Sequence, residues 1–510
     1  MRAMLTPGLI CVLAGSSLAT GPTFAPGTDP AYVNYVRSLY FRQHPGERYN
    51  IGTAWTLDTR RSVTFSFVED GTTIPAQAGI PGDVDGTSVL FQQMDTLFSD
   101  GNNATNDRAD WQALFAEAFD DWGRASGRSG VNFEFRRRQT PIDPEDDPAF
   151  DNWDTGGAWD TTVGPLGGVT TVLVGDVRIG MRNIDGPGGI VAYALPPGVD
   201  GDSGNIILDS SENWADSGSS FRFFDNAVGR AIGTAIGMLD VCPENNTKLM
   251  EPVIAGFAFN GPQFDDIRGV NALYGDRLEP ATGDALTLAG STLVTSDITY
   301  TALSITGANE VDYFRISVTS DSAPENITIS ADPTGGTYSS GTLDASGCTS
   351  ASLNASSQQN LEIAVFDSSG NPVTVGGYVD DAAIGETEEI IATISTEGTY
   401  YIAVRGVDGG ATASQMYNLT IDRETSVEMT GVAFGPQVLR GNHPDAVTQF
   451  VDSFVSANEE TGLLSGGPRG LSTGTPGPVG HSAQFVRDDG YDGTGARSET
   501  GVGNIVNAPL

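Results

Sequence analysis

Hydrophobic periodicity changes character once along this chain, near Leu286, and that change limits what the chain can become. Before it, helical spacing recurs. Trp111, Leu114, Phe115, Ala118, Phe119 and Trp122 form one wide apolar stripe at intervals of three and four. A second helix is expected from about 224 to 237, and a third presents Ile267, Val270, Asn271 and Tyr274 on one face. Alternating strands are expected at 63–68, 131–135, 169–174, 190–194 and 206–208. This order predicts an α+β domain over 51–280, a mixed twisted sheet with three helices. After Leu286 helical spacing vanishes and Ser/Thr-rich alternating segments take over, among them Asp312-Tyr313-Phe314-Arg315-Ile316, 361–366, 400–404 and 417–421. They predict an all-β sandwich over 285–424. Residues 26–50 read as an irregular lead-in. The Gly/Pro/Ser-rich stretch 425–510 reads as a mostly disordered tail, with one amphipathic helix opening near Pro444 and striped by Val447, Phe450, Val451 and Phe454.

Charge and termini restrict the partners. The chain carries 65 acidic against 26 basic residues, a net charge of -39, and a field of that sign repels nucleic acid and anionic lipid. It suits calcium or a saline medium. Near the N-terminus, Leu9, Ile10, Val12 and Leu13 form a short apolar run followed by small residues, with cleavage expected after Ala19 or Ala25. Residues 1–25 therefore read as a signal peptide, and the protein as secreted or held at the cell surface. No stretch reaches the roughly 20 apolar residues of a membrane span. Cys11 lies in the leader. Cys242 and Cys348 fall in different expected domains, so one long-range bridge is open to them but no disulfide framework is. No CxxC or Cys/His cluster suggests a zinc ribbon.

The chemistry-bearing segment is Val228-Gly229-Arg230-Ala231-Ile232-Gly233-Thr234-Ala235-Ile236-Gly237-Met238-Leu239-Asp240, followed by Leu249-Met250-Glu251-Pro252. It resembles the matrixin branch of the metzincin zinc proteases, whose pattern is H-E-x-x-H-x-x-G-x-x-H followed by a methionine turn. There, two histidines one helical turn apart share a helix face. The glycine breaks the helix so that a third histidine swings back onto the zinc, and the glutamate is the general base for the zinc-bound water. Here the glycine is Gly237 and the turn methionine Met250, but the four chemical positions hold Arg230, Ala231, Thr234 and Asp240. The chain's three histidines are His44, His443 and His481. The resemblance thus implies the protease fold, and the substitutions predict no catalytic zinc. Arg230 and Asp240 either pair across the gap the metal would span or both turn to solvent.

The resemblance extends over about 50–276, through Asp176-Val177-Arg178-Ile179-Gly180, Asp185-Gly186-Pro187-Gly188-Gly189, Leu208-Asp209-Ser210-Ser211-Glu212-Asn213-Trp214, Asp265-Asp266-Ile267 and Leu273-Tyr274-Gly275. It implies a structural calcium held by Asp185, the carbonyls of Gly186, Gly188 and Ile190, and the carboxylates of Asp209 and Glu212. An all-oxygen set with three carboxylates suits that ion. The places of the family's structural-zinc histidines hold Tyr193 and Ile207.

The second domain resembles bacterial prepeptidase C-terminal domains, through Asp312-Tyr313-Phe314, a central Leu361-to-Asp367 strand with a Ser-Gly turn, and Gly398-Thr399-Tyr400-Tyr401. Such domains accompany secreted proteases and imply a part in secretion or substrate binding. Tyr400 and Tyr401 either line a binding face or alternate between core and surface. In the tail, Gly490-Tyr491-Asp492-Gly493-Thr494-Gly495 resembles the lead-in to a subtilisin-like first strand, but no apolar strand follows. His481 and Asp488 have no serine nucleophile context.

Three functions are compatible with these features. The first, which the substitutions favour, is a non-proteolytic protein that binds a peptide, matrix or polysaccharide ligand. The second is an active hydrolase, including the zinc metalloendopeptidase that fold alone would suggest. The third is a structural or adhesion protein using the fold as a spacer.

Overall fold

The computed structural model describes residues 22–40, 52–99, 104–135, 174–254, 256–279 and 290–424, apart from a few positions inside those stretches, with Trp159 and the pairs 485–486 and 504–505. The chain divides into two compact units, Met1–Glu424 and Thr425–Leu510. In the second, Phe485–Val486 pairs antiparallel with Asn504–Ile505. The helix expected near Pro444, the Gly490–Gly495 motif and all three histidines lie outside the described residues.

The first unit opens with β1 (Thr23–Phe24), α1 (Pro30–Tyr40), β2 (Ser62–Phe67), the hairpin β3 (Thr73–Ile74) and β4 (Gly86–Thr87), α2 (Leu90–Leu97), α3 (Ala104–Asp120), β5 (Asn132–Phe135), β6 (Val177–Arg182), β7 (Ile190–Ala194), β8 (Ile206–Asp209), α4 (Arg222–Ala235) and α5 (Phe264–Tyr274). Six strands form one mixed sheet in the order β1-β7-β8-β6-β2-β5. β2 runs parallel to β5 and β6, and β6 parallel to β8, whereas β7 is antiparallel to β8 and β1 antiparallel to β7. The α+β class with a mixed sheet stands. β2, β6, β7 and β8 are buried along their whole lengths, because helices and loops cover both faces of the sheet.

The apolar stripe of α3 builds the core against β2. Phe119 stacks on Phe65 with ring centroids 4.1 Å apart, and Trp111 meets Phe67 edge-on at 5.1 Å. The helix ends at Asp120, so Trp122 enters the core from the following turn and donates from Nε1 to the Gly229 carbonyl at 2.8 Å. Two sequence expectations are corrected. Residues 26–50 are not wholly irregular, since α1 buries Val33 and Val36 beside Phe24. The domain expected over 51–280 has four described helices rather than three. α2 was unexpected because it is short, and its first turn is capped from a distance: the Asp70 carboxylate accepts the amides of Phe91 at 2.9 Å and Gln92 at 2.8 Å. The expected strand at 169–174 lies outside the described residues except for Val174, and the next strand begins at Val177.

Among the described residues of 291–424 the chain is built of strands with a single 3₁₀ turn at Ala355–Ser357: β9 (Thr292–Val294), β10 (Ile298–Thr306), β11 (Val311–Val318), β12 (Glu325–Pro333), β13 (Thr337–Ser340), β14 (Leu343–Asp344), β15 (Gly347–Cys348), β16 (Ala351–Asn354), β17 (Asn360–Asp367), β18 (Glu388–Ile394), β19 (Gly398–Val407) and β20 (Ser414–Glu424). Two four-stranded sheets, β10-β20-β12-β18 and β17-β19-β11-β9, share one apolar core that includes Ile327, Ile329 and Leu419 from one and Phe314, Ile363 and Ile402 from the other. Tyr400 is buried and its hydroxyl donates to the Thr396 carbonyl at 2.9 Å, whereas Tyr401 is half-exposed on the outer side.

The two parts of the first unit are joined by more than the linker. Cys242 and Cys348 form a disulfide that spans 106 residues, resolving what the sequence left open. Arg268 of α5 donates from Nε and Nη2 to the Ser414 carbonyl at 3.2 and 2.9 Å, and from Nη1 to the Tyr338 hydroxyl at 2.5 Å. Among the described residues, no helix is long and apolar enough to cross a membrane.

Candidate functional site

The site is built on α4. After Ala235 the helix cannot continue, because Gly237 adopts φ +103, a region that costs a glycine little and other residues much. Its amide closes on the Thr234 carbonyl at 3.0 Å, that of Met238 closes on Gly233 at 2.8 Å, and the chain turns back along the helix. This return brings Asp240 to Arg230. The Arg230 Nη2 donates to Asp240 Oδ1, its Nε to the Glu251 carbonyl at 2.8 Å, and its Nη1 to the Thr23 hydroxyl at 2.7 Å. Both members of the pair are almost wholly buried, at 1% and 2% exposure, so neither turns to solvent. A buried ion pair needs such added hydrogen bonds to offset the loss of water. Ala231 packs in the apolar core, and Thr234 is buried one helical turn beyond Arg230.

The turn through Met250 packs against the helix at Gly233. A Cβ on Gly233 would come within 2.5 Å of Met250 Sδ and 2.6 Å of Trp122, so only glycine permits this approach. Two carboxylates shape the turn. Glu251 accepts the amides of Asn245, Asn246 and Thr247 at 2.7, 2.8 and 2.9 Å and faces the Lys248 ammonium. Asp266, in the first turn of α5, accepts the amides of Leu249, Met250 and Gln263 at 2.8, 3.1 and 2.8 Å. Complete burial outweighs those amides and pushes Asp266 up to about 7. Cys242 follows Asp240 by two residues, so the disulfide fixes the returning loop to the second domain.

β1 completes the site. Thr23 pairs with Ala192 and Phe24 with Ile190 in antiparallel register. On its other side, Phe24 donates its amide to the Pro252 carbonyl at 2.9 Å and accepts the Ile254 amide at 3.1 Å, forming a parallel bridge with Val253. Thr23 and Phe24 are fully buried. A leader ending at Ala25 would remove this strand, while one ending at Ala19 would keep it. Thr23, the Glu251 carbonyl and β1 were missed by sequence reasoning, since nothing local in a two-residue strand announces a partner 207 positions away.

Of the residues expected to hold calcium, Asp209 and Glu212, at and after the end of β8, accept amides from the stretch that carries Asp185. Asp209 Oδ2 accepts the amides of Ile184 and Asp185, each at 3.1 Å, and its Oδ1 accepts from the Ser211 amide and hydroxyl at 2.7 and 2.6 Å. Asp185 accepts the Ile190 amide at 3.1 Å and the Tyr32 hydroxyl at 3.1 Å, and Glu212 accepts the Gly188 amide at 2.6 Å. Burial, and then the nearness of Asp209, raises Asp185 and Glu212 above the ordinary carboxylate range. In this arrangement amides satisfy the carboxylates. Among the described residues, no group of three or more His, Cys, Asp or Glu side chains is disposed as a metal cage. At Tyr193 the hydroxyl accepts from Arg182 Nη2 at 3.1 Å, and Arg182 forms a buried fork with Asp83. Ile207 is buried in the apolar cluster around Phe24.

Over 140 residues, 26% of this chain and 25% of the other, the sequence is 31% identical to human matrix metalloproteinase-27. That stretch is matrixin-like. The chain spans about a quarter of that relative's length, and no family model matches it. Solved structures with some likeness include PliG, a periplasmic lysozyme inhibitor of g-type lysozyme from Aeromonas hydrophila. It is 13% identical, with a TM-score of 0.17 over 26% of this chain and 96% of that one. Another is a mutant of Xylanase10C from Cellvibrio japonicus in complex with xylopentaose, 12% identical, with a TM-score of 0.15 over 26% of each chain. A family 35 carbohydrate binding module from Clostridium thermocellum is 15% identical, with a TM-score of 0.13 over 24% of this chain and 90% of that one. At these scores they carry no conclusion about fold or function.

Proposed function

We propose that this is an extracellular, matrixin-like protein that does not cut peptides and acts by binding or display. The observation that carries the reading is the buried Arg230–Asp240 pair at two of the positions that hold zinc ligands in the family pattern. A guanidinium there repels a divalent cation, and neither arginine nor threonine is a useful zinc donor. With Ala231 at the general-base position, nothing at that point of the helix can take a proton from water. The N-terminal apolar run and the long-range disulfide both support an oxidising, extracellular setting. The ligand class is a peptide, or an extracellular matrix or polysaccharide component.

The reading is tested by incubating the purified full chain with casein and gelatin, with and without added zinc and with a chelator. No cleavage is expected under any condition. Zinc-dependent cleavage that the chelator abolishes would overturn it and favour the zinc endopeptidase that the likeness to a matrix metalloproteinase would suggest. Calcium belongs to the same proposal. Asp185, between β6 and β7, and Asp209 and Glu212, at and after the end of β8, repel one another, and a divalent cation held by them and by the carbonyls of Gly186, Gly188 and Ile190 would relieve that repulsion.

A further inference from the structure

A sheet edge carries unpaired N–H and C=O groups and recruits another strand unless something blunts it. The two sandwich sheets have four edge strands, β10 and β18 in one and β17 and β9 in the other. Three of them are blunted. β10 is broken by a register shift between Tyr300 and Leu303, where Ala302 takes φ +56, and its Ser304 amide donates to the Asp276 carboxylate at 3.0 Å. β17 is covered by the chain that follows it. The Val373 amide donates to the Val365 carbonyl at 2.7 Å, and Val379 and Ile363 exchange amide-to-carbonyl bonds at 2.8 and 3.2 Å. β9 is only three residues long.

β18 has none of these guards. Its seven residues pair with β12 in one unbroken register, from Glu325 with Ile394 to Ala331 with Glu388. Among the described residues, no main-chain hydrogen bond reaches its other side. Buried and exposed residues alternate along it, and the exposed row is Glu389, Ile391 and Thr393. At 68%, Ile391 is the most exposed large hydrophobic among the described residues. A regular edge with an isoleucine at its centre is what natural sheets otherwise avoid.

We propose that β18 pairs antiparallel with β18 of a second copy of this chain across a two-fold axis, so that two four-stranded sheets become one continuous sheet. The strand is self-complementary. Centred on Ile391, the register that uses all seven residues sets Ile391 against its own copy, Ile390 against Ala392 and Glu389 against Thr393. Glu388 then stands opposite Ile394, but its carboxylate is already held by the amides of Asp381 and Ala382 at 3.1 and 3.0 Å. Moving the axis two residues toward the start of the strand would face Glu389 with Glu389, and like charges oppose that register. For a protein that acts by binding or display, such a pair presents two binding units to one surface and raises avidity.

The test is sedimentation equilibrium of the full chain at micromolar to millimolar concentration, in low salt and in about 1 M salt. A weak dimer is expected, because a single strand pair is a small interface. It should tighten with salt, because each chain carries a net charge of -39 and screening lowers the repulsion between copies. A monomer throughout, or a dimer that salt dissolves, overturns the proposal. Ile391→Lys and Ile391→Glu each set like charges across the axis, at an exposed position, with folding checked by circular dichroism. Each is expected to weaken the dimer at least about fivefold, and mixing the two, which puts lysine opposite glutamate, to restore it. A dimer that both variants keep, or a mixture no tighter than either variant alone, overturns the β18 pairing.

Discussion

Arg230 and Asp240, ten positions apart, form a buried ion pair between the middle of a helix and the loop that returns beneath it. Removing one member leaves the other charge buried without its partner. Asp240→Ala is expected to cost about 3–5 kcal/mol, and the paired change Arg230→Met with Asp240→Leu much less than the sum of the two singles. Urea unfolding of Asp240→Ala, of the two singles Arg230→Met and Asp240→Leu, and of their double checks both statements.

The disulfide ties that same loop to the second domain. Its reach of 106 residues puts the stabilisation of Cys242–Cys348 at about 5 kcal/mol through the unfolded chain, so Cys242→Ser with Cys348→Ser should lower the denaturant midpoint while leaving both cores formed. Far-ultraviolet circular dichroism along the denaturant series reads out both.

Asp266 makes stability depend on pH. Its folded value, about 7, lies above the ordinary carboxylate value, so the native state holds the proton more tightly than the unfolded chain. The contribution is complete below the unfolded value near 4 and is lost as pH rises through about 7. Asp266→Asn, which cannot ionise, should flatten the fall in stability between those limits. Thermal unfolding from pH 4 to 8 measures it, and an unchanged slope would sink the assignment.

Gly233 is needed for space. Gly233→Ala would drive a methyl group into Met250 and Trp122 and is expected to destabilise by about 1–3 kcal/mol, more than the same change at the less crowded helical position Gly229. Comparing the two variants separates crowding from helix propensity.

Calcium binding predicts a rise in melting temperature with added calcium that Asp185→Asn removes. Magnesium, which demands a tighter octahedral shell, should do less. Equal melting temperatures with calcium and with chelator would contradict it.

Much of this architecture was legible in the sequence because its elements carry their own periodicity. The stripe of Trp111, Phe115 and Phe119, the alternation of β11 and β19, and the glycine that ends α4 all declare themselves locally. The pairing of Arg230 with Asp240 was readable as one of two outcomes, since a motif fixed where both residues stand but not where they point. The disulfide was likewise one of two outcomes open to Cys242 and Cys348, whereas β1 and the fork between Arg182 and Asp83 were not readable. Each joins segments far apart in the chain, and each depends on tertiary contacts that no window of neighbouring residues contains. α1 was hidden for a simpler reason: Val33 and Val36 are its only buried described positions, too few to show a stripe.

On the proposed reading, the buried Arg230–Asp240 pair stands where a zinc protease would hold its metal. The most direct measurement is the zinc content of the purified full chain after equilibration with zinc and removal of the excess, alongside the variant Arg230→His, Ala231→Glu, Thr234→His, Asp240→His. Far less than one zinc per unaltered chain and a marked gain in the variant are expected. One tightly held zinc per unaltered chain would contradict the reading.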